Sequence, residues 1–180
     1  IEEFIDLRRP TGGDVNRRAL NIHHGVCVSD AFMEAVEKDE DWQLKSPLTK
    51  KVVTTVSARE LWSKLLTTRI ETGEPYMLFI DTVNKHIPEH HKKLGLKVKT
   101  SNLCVEITLP TGIDHLGKNR TAVCCLSSLN LENYQAWKDD KEFIPNVMRF
   151  LDNVLEDFIQ NAPDSMARAV YSAQRERSIG

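Results

Sequence analysis

Residues 57–84, SARELWSKLLTTRIETGEPYMLFIDTVN, constrain the fold more than any other stretch. Ser57 and Glu60 have capping-box spacing, in which each side chain satisfies a backbone N–H at a helix start. Leu61, Leu65 and Ile70 follow at roughly helical spacing, and Gly73 is placed to end the helix. The apolar, β-prone run YMLFIDTVN then predicts a buried strand. A chain that passes directly from an amphipathic helix into a buried strand has to pack one on the other, which is an α/β arrangement.

The flanks repeat this alternation. FIDLRRPTGGDVNRRA is turn-rich, punctuated by Pro10, Gly12 and Gly13, and ALNIHHGVCVS reads as extended. Ser29 is a plausible N-cap for DAFMEAVEKD, whose stripe is Phe32, Val36 and Met33. DWQLKSPLTKK predicts a loop with brief extended character, and KHIPEHHKKLGLKVK an exposed, charged connection. TGIDHLGKNR reads as a loop and TAVCCLSSLNL as a strand. Helices over IPNVMRFLDNVLEDFIQN and SMARAVYSAQRE follow, the second capped by Asp164 or Ser165.

Composition narrows the function. The 180 residues suit one domain or part of a larger one, and 41% hydrophobic with 28% charged residues is ordinary for a globular protein. A net charge of -2 gives no basic footprint for nucleic acid, and no apolar run is long enough to span a membrane. With no signal peptide visible, Cys27, Cys104, Cys124 and Cys125 read as free or redox-active thiols in a reducing cytoplasm. A start at Ile1 and an end at RERSIG suggest a segment of a longer polypeptide.

TSNLCVEITLPT, residues 100–111, carries the densest chemistry. If it is extended, Asn102, Cys104 and Glu106 share one face, about 6–7 Å apart along the chain, with Leu103, Val105 and Ile107 on the other. An amide fixes hydroxyls, a carboxylate takes protons, and a thiol serves as nucleophile, redox partner or radical carrier. The plain alternative is a solvent-facing strand edge. Cys124 and Cys125 face opposite ways on a strand, so at most one shares a cleft with Cys104; core filling is the plain role for either.

Weaker constellations read structurally. His86, His90 and His91 belong to a solvated loop, and His23-His24 to packing or local hydrogen bonding. Cys27 is expected to be buried. Trp42, Trp62 and Trp137 suit core or rim packing, and Lys92, Lys93, Lys97 and Lys99 a solvated face. Thr11-Gly12-Gly13 lacks the G-K-[ST] of a phosphate loop.

SNLCVEITLPT followed by RTAVCCLSSLNLENY resembles the large catalytic subunit of class I ribonucleotide reductase, whose pattern is S-N-L-C-x-E-I-x-L-P-T and then A-x-C-x-L-S-x-x-N-L. RRALNIHHGVCVSDAFMEAV, ARELWSKLLTTRIETGEPYMLFIDTVN, LDNVLED and RERSIG resemble further stretches of it, so the similarity runs over nearly the whole chain. It implies that residues 1–180 are one segment of a roughly ten-stranded α/β barrel: the end of one half-barrel, a finger loop near 100–111, and the start of the second. In that family Cys104 matches the cysteine whose thiyl radical abstracts the substrate's 3′-hydrogen. Glu106 matches the carboxylate that takes the 3′-hydroxyl proton, and Asn102 the amide that holds the ribose hydroxyls. Asn102, Leu103, Cys104, Val105 and Glu106 match the substrate-binding stretch. Cys124, rather than Cys125, matches a redox cysteine because it reproduces C-x-L-S; its partner lies upstream in the family, and the segment around Cys27 does not match it.

The implied reaction is reduction of ribonucleoside diphosphates. The radical would come from a separate metal-containing small subunit, with no cofactor or metal bound in this segment. A thioredoxin- or glutaredoxin-type reductant and a homodimer of the full large subunit are further implications. An adenosylcobalamin-dependent reductase is the neighbouring alternative, but its finger more often reads N-P-C-x-E, against Leu103 and Val105 here. A non-catalytic α/β binding domain is the alternative of another class; it predicts that Asn102, Cys104 and Glu106 do not converge on a concave pocket.

Overall fold

The computed structural model describes residues 1–11 and 14–180. The turn and phosphate-loop readings at Gly12 and Gly13 lie outside the described residues. The chain forms two compact units, Ile1–Pro88 with Val98–Thr108, and Glu89–Lys97 with Leu109–Gly180.

The first unit contains α1 (Glu2–Ile5), β1 (Gly25–Val28), α2 (Asp30–Lys38), β2 (Asp41–Lys45), β3 (Val52–Ser57), α3 (Ala58–Thr72), β4 (Tyr76–Phe79) and α4 (Ile80–His86). β1 and β4 pair in parallel, Gly25 opposite Tyr76 and Val28 opposite Phe79. Parallel neighbours need a long crossover, and α2, the β2–β3 hairpin and α3 supply it.

Both helix starts obey their sequence signals. Ser57 Oγ accepts from the Glu60 N–H at 3.2 Å, and Ser29 Oγ from the Phe32 N–H at 3.2 Å. Such caps are worth about 0.5–2 kcal/mol. Gly73 ends α3 at φ 79°, a conformation glycine adopts without the Cβ clash. The buried face of α3 is Ala58, Leu61, Leu65 and Thr68, whereas Ile70 is 87% exposed. At 100° per residue Ile70 sits about 140° around the helix from Leu65, so its apparent periodicity was coincidental. Phe32 and Ala35 of α2 close on this face together with Ile5 and Val28, and Trp42 and Trp62 pack against the cluster. Phe32 meets both indoles edge-on, at 5.3 and 6.4 Å.

Three sequence expectations change here. The strand expected over YMLFIDTVN stops at Phe79, and α4 takes over at Ile80. Leu78 is the strand's buried residue, while polar Asp81 and Asn84 break the apolar run and serve backbone groups instead. DWQLKSPLTKK is half of a hairpin, with Trp42 opposite Val56; the β-branched run Val52–Val56 carried that signal. The connection 85–99 is not uniformly exposed, because Ile87, His91, Leu96 and Val98 are buried.

The second unit contains α5 (Glu89–Lys93), β5 (Gly112–Ile113), β6 (Asn119–Arg120), α6 (Tyr134–Trp137), α7 (Phe143–Asn161) and α8 (Ala167–Glu176). β5 and β6 form a short hairpin inside the expected loop, Gly112 opposite Arg120. α7 buries Leu151 and Leu155, and α8 buries Ser172 and Ala173. Trp137 packs edge-on to Tyr134 and stacks on Phe143. Neither Asp164 nor Ser165 caps α8; a 3-10 turn over Asp164–Met166 leads into it without a side-chain cap. TAVCCLSSLNL is not a regular strand. It makes one parallel bridge, Cys125 to Ile179, because no further strand among the described residues lies alongside it.

The sheets among the described residues are three two-stranded pairs, with no closed barrel. Among the described residues no helix is long and apolar enough to cross a membrane.

Candidate functional site

The loop 98–108 folds back on itself instead of running extended. The Val105 N–H bonds to the Asn102 carbonyl at 3.2 Å, closing a turn with Leu103 and Cys104 at its tip. Asn102 spans the base of the turn. Its Nδ2 donates to Glu106 Oε1 at 2.6 Å, and its Oδ1 accepts the Ile107 N–H at 3.0 Å. Ser101 Oγ donates to the Ile107 carbonyl at 2.5 Å. These bonds join residues three to six apart, which an extended strand would hold far from one another.

The turn therefore brings the Asn102 and Glu106 side chains closer than strand alternation would. The even spacing along one edge is incorrect: amide and carboxylate meet across the turn, and Cys104 lies at its tip. Leu103 is 54% exposed and does not anchor the loop; Val105 and Ile107 are half-buried. Val105 has φ 68°, a left-handed conformation that is strained for a β-branched residue. Cys104 at the tip and Glu106 at the base are both exposed.

Two groups hold the incoming leg. Asn84 Nδ2 donates to the carbonyls of Ile80 and Val98, each at 2.9 Å, and its Oδ1 accepts the Val98 N–H at 2.9 Å. Cys27 Sγ lies 3.9 Å from the Lys99 carbonyl. Contrary to expectation Cys27 is exposed: β1 alternates, so that Val28 enters the core and Cys27 faces the loop. Partial desolvation pushes its thiol pKa up. A cleft of about 260 Å³ separates β1 and β4 from the loop, lined by His24, Cys27, Tyr76, Ser101, Asn102 and Leu103 among others. Cys104 and Glu106 do not line it.

His23 and His24 serve Glu74. Both Nδ1 atoms meet its carboxylate, that of His24 at 3.2 Å, and the His24 N–H donates to it at 3.0 Å. Burial alone would raise the Glu74 pKa, but the His24 N–H, His23 and Arg8 outweigh it and lower the pKa. Among the described residues no group of three or more His, Cys, Asp or Glu side chains is placed to hold a metal ion. His91 is buried and packs edge-on to His90 at 4.4 Å.

In the second unit, Cys124 and Cys125 are half-buried thiols. The Cys125 N–H bonds to Ser178 O at 3.2 Å, and Gly180 N–H to Cys125 O at 2.9 Å. A Cβ on Gly180 would lie 2.5 Å from Leu126 Cδ2 and 3.6 Å from Cys124 Sγ. Cys124 and Leu126 thus share the face over Gly180, and Cys125, one residue out of step, takes the other.

Sequence reasoning missed the hub that fixes this cysteine segment. Arg120 Nε donates to Asp114 Oδ2 at 3.0 Å and its Nη1 to Glu176 Oε1 at 2.9 Å, all three side chains at most 3% exposed. The Tyr171 hydroxyl donates to Asp114 at 2.7 Å, and the next residue's N–H, Thr121, donates to Ser172 Oγ at 2.9 Å. Burial would raise the Asp114 carboxyl, but Tyr171, the Lys118 N–H, Arg120 and the Leu116 N–H hold it well below the usual carboxylate range. Desolvation pushes Glu176 up despite Arg120. An Asp and an Arg in a polar loop carry no sequence signal of such burial.

The whole chain, residues 1–180, matches the family model described as ribonucleotide reductase, barrel domain. A Frog virus 3 (isolate Goorha) protein, provisionally named ribonucleoside-diphosphate reductase large subunit, is 52% identical over 181 residues, covering 99% of this chain and 31% of that protein. The ribonucleoside-diphosphate reductase large subunit of Invertebrate iridescent virus 3 is 37% identical over 100% of this chain and 36% of its own length. That of Caenorhabditis elegans is 30% identical over 100% of this chain and 25% of its length. The chain thus spans about a third or less of each of these relatives.

Proposed function

The chain belongs to the ribonucleotide reductase barrel-domain family, and on that premise we propose that it carries the radical-bearing loop of a ribonucleoside-diphosphate reductase large subunit. The observation that supports this most is the 2.6 Å bond from Asn102 to Glu106 across a turn whose tip is Cys104. Hydrogen-atom, proton and hydroxyl handling are thereby gathered on five consecutive residues.

In this reading the small subunit supplies the oxidising equivalent, and Cys104 carries it as a thiyl radical. The Cys104 sulfur takes the 3′-hydrogen atom of the ribose, forming S–H and leaving a carbon radical. Glu106 accepts the 3′-hydroxyl proton while Asn102 holds the hydroxyls. A thiol pair, of which Cys124 is one member, supplies two electrons and two protons: as the C2′–O bond breaks, one proton leaves with the 2′-hydroxyl as water, the other becomes the new C2′–H, and the pair ends as a disulfide. Cys104 then returns its hydrogen atom to C3′ and regains the radical, while Glu106 returns its proton to the 3′-oxygen. A thioredoxin- or glutaredoxin-type protein reduces the disulfide, and a reducing cytoplasm suits such thiol chemistry. The complete large subunit acts as a homodimer.

The test is Cys104→Ser in a large subunit carrying this segment, assayed with its small subunit. Turnover should vanish while ribonucleoside diphosphate still binds. Retained turnover would sink the assignment.

A further inference from the structure

We propose that Asn84 is a positioning residue for the Asn102–Cys104–Glu106 turn, an inference that rests on reading that turn as the reaction centre. The hydrogen bonds that shape the turn are internal to it, between residues 101–102 and 105–107. They set its shape but not its place. Its place depends on the leg that enters it, and that leg is gripped at Val98, four residues before Asn102.

The grip is of an unusual kind. Asn84 presents a donor and an acceptor side by side to the C=O and N–H of one residue, both at 2.9 Å, as a neighbouring strand would. Its second Nδ2 proton goes to the Ile80 carbonyl, also at 2.9 Å, which ties the carboxamide to α4. Two donors and one acceptor are thus satisfied by three backbone groups, and the amide is held in one orientation. Val98 itself is 2% exposed, so its backbone groups have no water to replace a lost partner. The adjoining contact, Cys27 Sγ to the Lys99 carbonyl, is long and weak by comparison. No other residue type fits this role equally. Aspartate keeps the acceptor for Val98 N–H but sets negative charge against two carbonyls, and alanine removes this partner from both Val98 backbone groups.

The Asn84 side chain bonds the Ile80 and Val98 backbone rather than Cys104, so its loss should shift the turn rather than remove a reacting group. Displacement of a reacting group by about 1 Å costs on the order of 100-fold in rate. The experiment uses the complete large subunit with its small subunit and compares N84A, N84D, L65A and C104S. Leu65 is a core residue of α3, away from the loop, and L65A measures what destabilisation alone does. In N84A and N84D, kcat per folded enzyme should fall about 10- to 100-fold with KM for the ribonucleoside diphosphate nearly unchanged. L65A should lower the melting temperature yet keep kcat per folded enzyme. The inference is overturned if N84A and N84D keep parental kcat, if their loss tracks melting temperature as in L65A, or if neither folds. An active C104S would instead overturn the underlying reading, which separates the two failures.

Discussion

The Asn102 carboxamide bonds Glu106 through its nitrogen at 2.6 Å and the Ile107 backbone through its oxygen at 3.0 Å. One side chain therefore both shapes the turn and holds the carboxylate that neighbours Cys104. Replacing Asn102 by Ala should lower kcat by about 10²–10³-fold, the cost of losing one preorganised donor. Glu106→Gln should do similar damage. Because the two groups touch, the double variant should lose much less than the product of the single effects. Steady-state kinetics on all three variants checks the coupling; full additivity would mean that the bond does not matter in catalysis.

Val105 holds a left-handed backbone at φ 68°, a strain on the order of 1–3 kcal/mol for a non-glycine residue. Val105→Gly removes the strain but frees the unfolded chain by roughly 0.5–1 kcal/mol. The melting temperature should stay level or rise. Turnover should fall, because the tip loses a restraint next to Cys104. A melting curve and an activity assay on the same preparation decide this; a less stable protein with full activity contradicts it.

Cys124 shares the face over Gly180 with Leu126, and alternation along extended backbone turns Cys125 to the other face. Cys124→Ser should stop multiple turnover with a thioredoxin-type reductant, whereas Cys125→Ser should keep it. Equal loss in both variants would remove the distinction between the two cysteines.

Asp114 is held well below the ordinary carboxylate range by Tyr171, Arg120 and two backbone N–H groups, against the opposing pull of burial. A depressed folded pKa gives stability that is present above the unfolded value, about 3.9, and is lost as pH falls through the folded value. The parent should therefore exceed Asp114→Asn in stability most at neutral pH, and the gap should close below about pH 4. Glu176 runs the other way. Its raised pKa means that ionisation costs stability as pH rises above its unfolded value of about 4.3. Thermal melts of parent, D114N and E176Q across this range measure both signs.

Local signals were legible where one short stretch contains both partners of an interaction. The Ser57 and Ser29 caps and the Gly73 stop satisfy backbone groups within three or four residues, so their spacing alone betrays them. The family match over residues 1–180 agrees with the resemblance that the motif at 101–111 carried.

The sequence by itself thus determined the starts of α2 and α3, the α/β class and the family resemblance. Tertiary structure alone decided how the motif's side chains meet. Alternation put Asn102 and Glu106 on one extended edge, but the turn, closed by Asn102 and strained at Val105, folds them together around Cys104. Ile70, in step with Leu65 by eye, lies on the outside of α3, and Cys27 faces the loop rather than the core. The bonds of Asn84 to Val98 and of Arg120 to Glu176 join residues 14 and 56 positions apart. Periodicity reports only neighbours along the chain, whereas a buried polar group takes whichever partner the fold brings within about 3 Å.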